Sequence, residues 1–285
     1  MKESVLHIFL TIVCFVILCS CETIPGKKTD PDVMFVTTPH KVVKEMLKLA
    51  EVKKDDVVYD LGSGDGRVVI AAARDFGARG VGIELDKALV TESTTNAREA
   101  GVAERVKFLE EDFFVADLSN ATVVTVYLLP ELNTRLIPKF LKELKPGSKV
   151  VSHRWEMGKW KPDMTLKAYD TNVYLWFIPA AIDGNWRITL TNEKGRREYT
   201  IAIKQDFQKI TARLSDGKRQ YNVEDKNLEG SNIAISVADA VRGRAFKMSI
   251  TGMVKGDIIE GTALITEGDT PFAAPYSMKA EKILN

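Results

Sequence analysis

The chain has 285 residues, of which 45% are hydrophobic and 28% are charged, with 40 Lys and Arg against 39 Asp and Glu. This composition is typical of a globular protein and excludes a disordered or fibrous one. A formal net charge of +1 gives no electrostatic signature of a nucleic-acid partner, so none is expected. All three cysteines precede residue 22, which excludes a disulfide framework, a cysteine nucleophile and a thiolate metal site from the body of the chain, and no metal site is predicted.

Residues 1–20 are predicted to form a signal peptide. An apolar run from Val5 to Cys19 is short for a membrane-spanning helix, and it has the length of the hydrophobic region of a secretory signal. The run ends in Leu-Cys-Ser-Cys, which resembles the lipobox of bacterial lipoproteins. That resemblance implies that Cys21 is acylated and anchors the mature protein to a membrane of the cell envelope.

An uncleaved anchor is the alternative interpretation of this segment. Lys27 and Lys28 follow the apolar run, whereas Lys2 alone of the basic residues precedes it. For an uncleaved anchor, this charge bias favours a body that faces the cytoplasm.

Amphipathic segments alternate with short apolar runs between residues 39 and 152. A helix is predicted to start near Pro39, and Pro138 is expected to kink or divide a later helix. The alternation predicts a parallel sheet with helices on both faces. The predicted strands are Asp56–Leu61, Gly80–Leu85, Val106–Leu109, Ala121–Leu129 and Lys149–Ser152, and the later helices are Val68–Phe76, Lys87–Ala100 and Pro130–Leu144. An antiparallel hairpin at the sheet edge is predicted from Thr165–Tyr169 and Val173–Ile178.

After Pro179 the pattern changes to short alternating runs separated by glycine turns. This pattern predicts an all-β barrel or sandwich. Its predicted strands are Trp186–Thr191, Glu198–Lys204, Phe207–Leu214, Ile233–Val237, Ala245–Ile250 and Ile258–Ile265. The predicted organisation is a signal at 1–20, a tether at 21–34, an α/β domain at 35–182 and a β domain at 183–285.

The residues that carry chemistry concentrate in the loop after the first strand, Asp60-Leu61-Gly62-Ser63-Gly64-Asp65-Gly66. Alternate glycines let the backbone turn sharply and approach a ligand closely. Glu84, at the end of the second strand, is placed to accept hydrogen bonds from ribose hydroxyls. Asp112, after the third strand, is placed to bind the exocyclic amine of an adenine. These positions predict a nucleoside site.

The loop does not fit the common nucleotide motifs. A dinucleotide fingerprint needs glycine at the position of Arg67, and the Gly-Lys-Ser/Thr ending of a P-loop is absent from the sequence. The spacing resembles motif I of class I S-adenosylmethionine (SAM)-dependent methyltransferases, and Glu84 and Asp112 stand where the next two motifs of that family belong. Acidic Asp60 and Asp65 suit the cationic sulfonium of SAM better than a phosphate.

Residues 35–162 resemble the seven-strand lysine methyltransferases related to the mitochondrial ATP-synthase c-subunit lysine methyltransferase and, more distantly, the histone lysine methyltransferases without a SET domain. The matching segments include FVTTPHKVVKEML, DLGSGDGRVVIAAAR, GVGIELD, EEDFF, VVTVYLLPEL and SHRWEMGKWKP. The resemblance implies an α/β fold with a Rossmann-like class I methyltransferase sheet, here followed by the all-β domain. It implies that Thr38 and Pro39 lie at the cofactor lid, that Asp60, Gly62, Gly64 and Glu84 bind the methionine and ribose ends of SAM, and that Asp112 and Phe113 bind its adenine.

The acceptor side is predicted at the tips of the fourth and fifth strands. Tyr127-Leu128-Leu129-Pro130 replaces the Asn/Asp-Pro-Pro-Tyr motif of the methylases that act on amino groups of nucleic acids, which argues against a DNA adenine substrate. Tyr127 and His153 are the candidate catalytic residues, and core packing or a structural hydrogen bond is the alternative role of each. The candidate substrate channel also contains Glu131, Arg154 and Trp155.

These observations predict a SAM-dependent methyltransferase that methylates a protein lysine at a membrane. Methylation of a small molecule or an envelope lipid is one alternative, because a fold does not determine the acceptor. A non-enzymatic envelope lipoprotein that retains the fold is the other, since SAM is made in the cytosol and a lipobox would send the body outside it.

Overall fold

Two sheets organise the protein, which is described by a computed structural model over residues 37–241, 244–268 and 274–283. These residues belong to one compact unit, Val33–Asn285. The predicted signal, tether and acylated Cys21 lie outside the described residues. The described part of the chain contains no helix that is long and apolar enough to cross a membrane.

The first sheet has seven strands in the order β3-β2-β1-β4-β5-β7-β6. The first five strands are parallel, β7 is antiparallel to β5, and β6 is antiparallel to β7, so the predicted edge hairpin is confirmed. The strands are β1 Val57–Leu61, β2 Arg79–Glu84, β3 Val106–Glu110, β4 Val123–Val126, β5 Lys149–His153, β6 Met164–Ala168 and β7 Thr171–Phe177. The helices are α1 His40–Leu49, α2 Arg67–Phe76, α3 Lys87–Glu99 and α4 Pro130–Glu143.

Apolar side chains cover both faces of this sheet, as predicted. On one face Val58, Val123 and Val151 pack with residues of α1 and α2. On the other face Tyr59 and Leu61 pack with residues of α4. Because parallel strands are covered on both sides, their polar chemistry is restricted to the strand ends.

In the first sheet and its helices, two differences from the sequence prediction bear on the site. β4 ends at Val126 rather than Leu129, so Tyr127, Leu128 and Leu129 form the connection to α4. α4 continues through Pro138, and the predicted division of this helix is wrong. Pro138 is on the exposed side of α4, and buried side chains before and after it hold both halves of the helix on the sheet.

The second sheet has nine antiparallel strands in the order β11-β10-β9-β8-β16-β15-β14-β13-β12. Its strands are β8 Gly184–Asn192, β9 Gly195–Asp206, β10 Lys209–Ser215, β11 Gln220–Tyr221, β12 Val223–Glu229, β13 Asn232–Val241, β14 Arg244–Lys255, β15 Ile258–Glu267 and β16 Tyr276–Lys282. The two ends of the sheet approach each other where β10 lies against β12. A single apolar core fills its inner face, as expected of a small antiparallel barrel.

Candidate cofactor and acceptor site

The glycine loop leaves the tip of β1 and crosses to β2. The backbone N–H groups of Gly62 and Ser63 both donate to the Ile83 carbonyl, at 2.9 and 3.0 Å. Gly66, the residue that caps the start of α2, has φ +81°, and a Cβ there would lie 2.6 Å from the Phe108 ring. Glycine is therefore required at this position both by the left-handed backbone and by the lack of space.

Glu84 braces the loop from the end of β2. Its Oε2 accepts a hydrogen bond from the Gly64 N–H at 2.9 Å, and its Oε1 accepts from the N–H groups of Leu85 and Asp86 at 2.8 and 3.0 Å. The predicted ribose-binding carboxylate is thus held at the edge of the loop by three backbone donors.

Asp60 is buried beneath the same loop. The Thr125 hydroxyl, from β4, donates to its Oδ1 at 2.6 Å. Burial raises the pKa of Asp60 to about 7, the Thr125 hydrogen bond opposes the shift, and the negative charges of Glu84 and Asp65 add to it. A cation placed at Asp60 would reverse this shift by favouring the ionised carboxylate.

Arg67, which the sequence analysis considered only as the missing third glycine, connects the loop to the segment before α1. Its Nε donates to both carboxylate oxygens of Asp65, at 2.9 and 3.1 Å, and its Nη1 donates to the Thr38 carbonyl at 3.0 Å. Burial alone would raise the pKa of Asp65, but the hydrogen bonds and charge of Arg67 together hold it below its ordinary value. Asp65 therefore remains an ionised carboxylate in the loop, and Arg67 holds Thr38 beside it.

His153, the last residue of β5, contacts the same segment. Its Nδ1 lies 3.1 Å from the Thr38 hydroxyl, and its ring centroid lies 4.0 Å from that of Tyr127. The imidazole is 4% exposed. Burial lowers the pKa of His153 to about 4, with a further lowering by Arg154 and an opposing effect of Asp170. The ring is consequently neutral at pH 7.

A tight turn follows β5. Arg154 has φ +71°, and the Trp155 N–H donates to the His153 carbonyl at 2.9 Å. The Ser152 hydroxyl donates to the Trp155 carbonyl at 2.6 Å and accepts from the Asn133 amide of α4 at 3.2 Å. A left-handed arginine next to a site is a strained conformation that the surrounding hydrogen bonds hold in place.

The remaining predicted residues lie along the same edge of the sheet. Asp112 is exposed and accepts the Phe114 N–H at 2.8 Å. The ring centroids of Phe113 and Phe114 are 4.8 Å apart. Leu128 is buried and Leu129 is exposed. Pro130 and Glu131 form the first turn of α4.

A narrow cleft opens between the glycine loop and the segment before α1. It brings together Thr38, Asp60, Gly62, Ser63, Asp65 and Tyr127 from the sequence prediction, and adds Thr37, Met46, Arg67, Val68 and Val126. Glu84, Asp112, Phe113, His153, Arg154 and Trp155 are not among its lining residues. The buried Ser63 hydroxyl has no hydrogen-bond partner among the described residues, which leaves a polar group for a ligand.

Comparison with known proteins identifies the fold and the chemistry. A model of the ANTKMT methyltransferase domain matches residues 60–164. A protein-lysine N-methyltransferase of Saccharolobus islandicus is 46% identical over 153 residues, which are 52% of this chain and 95% of that protein. The chain belongs to the SAM-dependent protein-lysine N-methyltransferase family. It is a SAM-dependent methyltransferase with the Rossmann-like sheet of that class.

Two further proteins define the extent of the similarity to this methyltransferase. A lysine N-methyltransferase of Mus musculus, named for the c-subunit of ATP synthase, is 31% identical over 162 residues, which are 57% of this chain and 60% of the mouse protein. A crystal structure described as an RNA methyltransferase from Salinibacter ruber, in complex with S-adenosyl-L-homocysteine, is 56% identical and covers 52% of this chain and 96% of its own, with a TM-score of 0.51. Each match covers little more than half of the chain.

The residues of the methyltransferase cleft fit SAM. Asp60 and Asp65 supply negative charge, the buried Ser63 hydroxyl has its hydrogen-bonding capacity unused among the described residues, and the loop glycines leave room for close approach. A Cβ on Gly62 would meet no described atom closer than 3.4 Å, so the loop backbone itself is accessible from the cleft. SAM, when bound, supplies the methyl group on a positively charged sulfur, and an acidic cleft favours that charge.

Proposed function

We propose that this methyltransferase transfers the methyl group of SAM to the side-chain amine of a lysine in a membrane-associated protein. The similarity that carries the proposal is that to the Saccharolobus islandicus protein-lysine N-methyltransferase, because it extends over 95% of that protein. The mouse relative is named for a component of ATP synthase, which supports a protein as the acceptor.

The cofactor is proposed to bind along the tips of β1, β2 and β3. Asp60 and Glu84 take the methionine and ribose ends, and Asp112 with Phe113 takes the adenine. Thr38 covers the cofactor. The loop residues Gly62, Ser63, Gly64, Asp65 and Gly66 form the floor. Methyl transfer from a sulfonium is an in-line displacement, so the contribution of these residues is alignment and electrostatic stabilisation.

The acceptor lysine must lose its proton before it attacks. Leu128 and Leu129 supply an apolar approach at the end of β4, and desolvation there lowers the pKa of an ammonium. Pro130 and Glu131 continue this side at the first turn of α4, and Arg154 and Trp155 border its entrance. Together these residues form the proposed channel that delivers a neutral amine.

Tyr127 and His153 are assigned to positioning in this mechanism. With a pKa of about 4, His153 is a poor acceptor for a proton from an ammonium whose ordinary pKa is about 10.4. Its Nδ1 instead contacts Thr38, which covers the cofactor, and its ring contacts Tyr127 on the acceptor side. His153 therefore holds these two residues next to each other. Tyr127 lines the cleft and is placed to direct the amine toward the methyl group.

An anchor at Cys21 is proposed to hold the enzyme at the cell envelope. Its support is the lipobox-like sequence and the apolar run before it. Labelling of cells with a radioactive fatty acid tests it: the label should enter the wild-type protein and not Cys21→Ala, and Cys21→Ala should move to the soluble fraction. A protein that stays in the membrane fraction without the label favours the uncleaved anchor.

RNA is the second candidate acceptor, and the Salinibacter ruber structure favours it, since it is described as an RNA methyltransferase at 56% identity. The near-neutral formal charge of +1 argues the other way, because RNA-binding surfaces depend on phosphate neutralisation.

Transfer of a labelled methyl group to cell fractions tests the proposal. Purified enzyme and labelled SAM are incubated with membranes, soluble proteins, total RNA and extracted lipid from cells that lack the gene. Acid-stable label that elutes with methyllysine after hydrolysis supports the protein acceptor. Label removed by ribonuclease, or extracted into organic solvent, overturns it in favour of RNA or lipid. Glu84→Ala serves as the inactive control, and Glu92→Ala, on α3 outside the cleft lining, serves as the matched active one.

A further inference from the structure

The segment between β5 and β6 starts at the acceptor side of the site. Arg154 at its beginning is exposed, whereas Trp160 within it is fully buried. The structure describes all of its residues, and among them the pairing is limited to an isolated bridge between Met157 and Trp160. The contacts of the Trp160 side chain are therefore among those that hold the segment in its conformation.

The second sheet provides those contacts through the turn between β9 and β10. The ring of Phe207 stacks on that of Trp160 with centroids 5.4 Å apart and an interplanar angle of 13°. The Gln208 Oε1 accepts a hydrogen bond from the Trp160 Nε1 at 2.8 Å, and its Nε2 donates to the Lys161 carbonyl at 2.8 Å. One glutamine side chain thus satisfies a side-chain donor and a backbone acceptor of the segment.

The turn itself is fixed in the second sheet. The Gln205 Nε2 donates to the Phe207 carbonyl at 2.8 Å and to the Ala180 carbonyl at 2.9 Å. Phe207 adopts φ +55°, a conformation that a side chain of this size rarely adopts without surrounding support. The backbone that carries the aromatic ring is therefore held in the second sheet, while the ring packs against the apolar core of the first sheet.

A further set of hydrogen bonds connects Trp160 to the beginning of the segment. The Trp176 Nε1 of β7 donates to the Trp160 carbonyl at 2.9 Å. Also on β7, the Asn172 carbonyl accepts the Arg154 N–H at 2.8 Å, and the Asn172 side chain donates to the Tyr174 hydroxyl at 3.1 Å. β7 therefore contacts the segment at both ends, beside the site and beside the second sheet.

We propose that Phe207 and Gln208 are positioning residues for the acceptor: through Trp160 they hold residues 154–161 in the conformation that borders the acceptor channel. The second sheet then contributes to acceptor binding without touching the cofactor. This inference rests on the proposed function, which assigns Arg154 and Trp155 to the acceptor entrance. Loss of Gln208 would leave the buried indole N–H of Trp160 without its partner, which a buried donor does not tolerate without local opening.

Hydrogen exchange and steady-state kinetics of the full chain test the proposal. The variants are Gln208→Ala, which removes both hydrogen bonds, and Phe207→Gly, which removes the ring but accommodates the positive φ. The control is Lys209→Ala, an exposed neighbour at the first residue of β10. The amides of residues 154–161 and 163 should exchange roughly fivefold to tenfold faster in both variants, because each variant loses a contact that holds Trp160. Peptides of β1 and β2 should be unchanged.

The kinetic readout separates positioning from general damage. The KM for the methyl acceptor should rise roughly tenfold in both variants, while the affinity for S-adenosyl-L-homocysteine stays within about twofold of the wild type. If the amides at 154–163 exchange at the same rate in the two variants as in Lys209→Ala, Phe207 and Gln208 do not hold the segment, whatever the acceptor is. Faster exchange with an unchanged acceptor KM overturns the role in acceptor binding. If no acceptor is found, the proposed function fails, and the exchange result still decides whether the second sheet holds the segment.

Discussion

Asp60 combines a buried carboxyl with a cleft that binds a cation, and this combination makes SAM affinity depend on pH. The pKa of Asp60 is raised to about 7 in the free protein, first by burial. A bound sulfonium favours the ionised form, so the proton must leave when SAM binds below pH 7. We predict that the Kd for SAM rises as pH falls below 7, approaching about tenfold per pH unit well below that pKa. Calorimetric titrations at pH 6, 7 and 8 measure this.

Asp60→Asn should remove this pH dependence and weaken SAM binding at pH 8 by about 10- to 100-fold, since it removes one charged partner. The contribution of Asp60 to the stability of the fold changes with pH in the opposite direction to its contribution to SAM binding. Because the folded pKa lies above the ordinary value of 3.8, the carboxyl stabilises the fold below pH 4, and that contribution is lost as pH rises to 7. The free energy of unfolding of Asp60→Asn relative to wild type should therefore increase over this range. Asp75→Asn, which changes an exposed carboxylate on α2, should leave the affinity for SAM and its pH dependence unchanged.

Arg67 is expected to matter for both SAM binding and stability, because it holds Asp65 and the Thr38 carbonyl together. Arg67→Gln should raise the KM for SAM roughly tenfold with a smaller change in kcat, as expected for loss of an interaction made equally in the ground and transition states. It should lower the free energy of unfolding by about 1.5 to 3 kcal/mol, the range for a hydrogen bond to a charged group. Steady-state kinetics and urea unfolding measure the two effects.

The matched control for Arg67 is an ion pair on the same helix. Arg74 contacts the neighbouring Asp75 with its side chain 54% exposed, against 19% for Arg67. Exposed pairs contribute about 0 to 1 kcal/mol, so Arg74→Gln should leave the KM for SAM unchanged and the stability nearly so. Equal effects of the two substitutions would contradict the assigned role of Arg67.

At the scale of the elements, Pro138 in the interior of α4 lowers the stability of this helix. Pro138 has no N–H to donate to the Thr134 carbonyl, and its ring crowds the preceding turn. The helix is continuous because Leu136, Ile137 and Phe140 remain buried around the proline. We predict that Pro138→Ala raises the free energy of unfolding by about 1 to 3 kcal/mol, as measured by urea denaturation.

Lys142→Ala is the control for α4, since it is exposed in the last turn and should change stability by less than about 0.5 kcal/mol. A loss of stability in Pro138→Ala would show that the restriction of the unfolded chain by proline outweighs the lost hydrogen bond.

The sequence predicted those helices and strands in which enough apolar side chains recur at a regular spacing. The central parallel strands β1 and β4 are mainly apolar and buried, and the helices have one apolar face, so their existence followed from burial. β12 was missed because Leu228 is its one buried residue, which leaves no alternation to detect. β16 was also missed, although Tyr276, Met278 and Ala280 alternate inward along it.

The site residues that the sequence predicted follow from local patterns, whereas the contacts that it missed join residues far apart in the sequence. Glycine spacing and strand ends predicted the loop and Glu84, because both depend on residues close in sequence. The contact of Arg67 with Thr38 joins residues 29 apart, and that of Thr125 with Asp60 joins residues 65 apart. Such contacts depend on the strand order, which the local pattern does not contain.

At the scale of the whole molecule, the two sheets meet through backbone as well as through Trp160. The Ala180 N–H donates to the Gly230 carbonyl at 2.8 Å. A Cβ on Gly230 would lie 2.8 Å from the Gly147 Cα and 3.1 Å from its nitrogen. Because backbone atoms cannot rotate away as a side-chain end can, this contact leaves no room for a larger residue.

Gly230→Ala should therefore separate the sheets locally and lower the free energy of unfolding by about 3 kcal/mol or more, the sum of left-handed strain and overpacking. Gly256→Ala provides the comparison, because Gly256 has φ +63° and no described atom would lie within 4 Å of its Cβ. That substitution should cost only the strain, about 1 to 2 kcal/mol. Urea unfolding monitored by tryptophan fluorescence measures both. If the two alanine variants lose the same stability, the contact between Gly230 and Gly147 does not join the sheets.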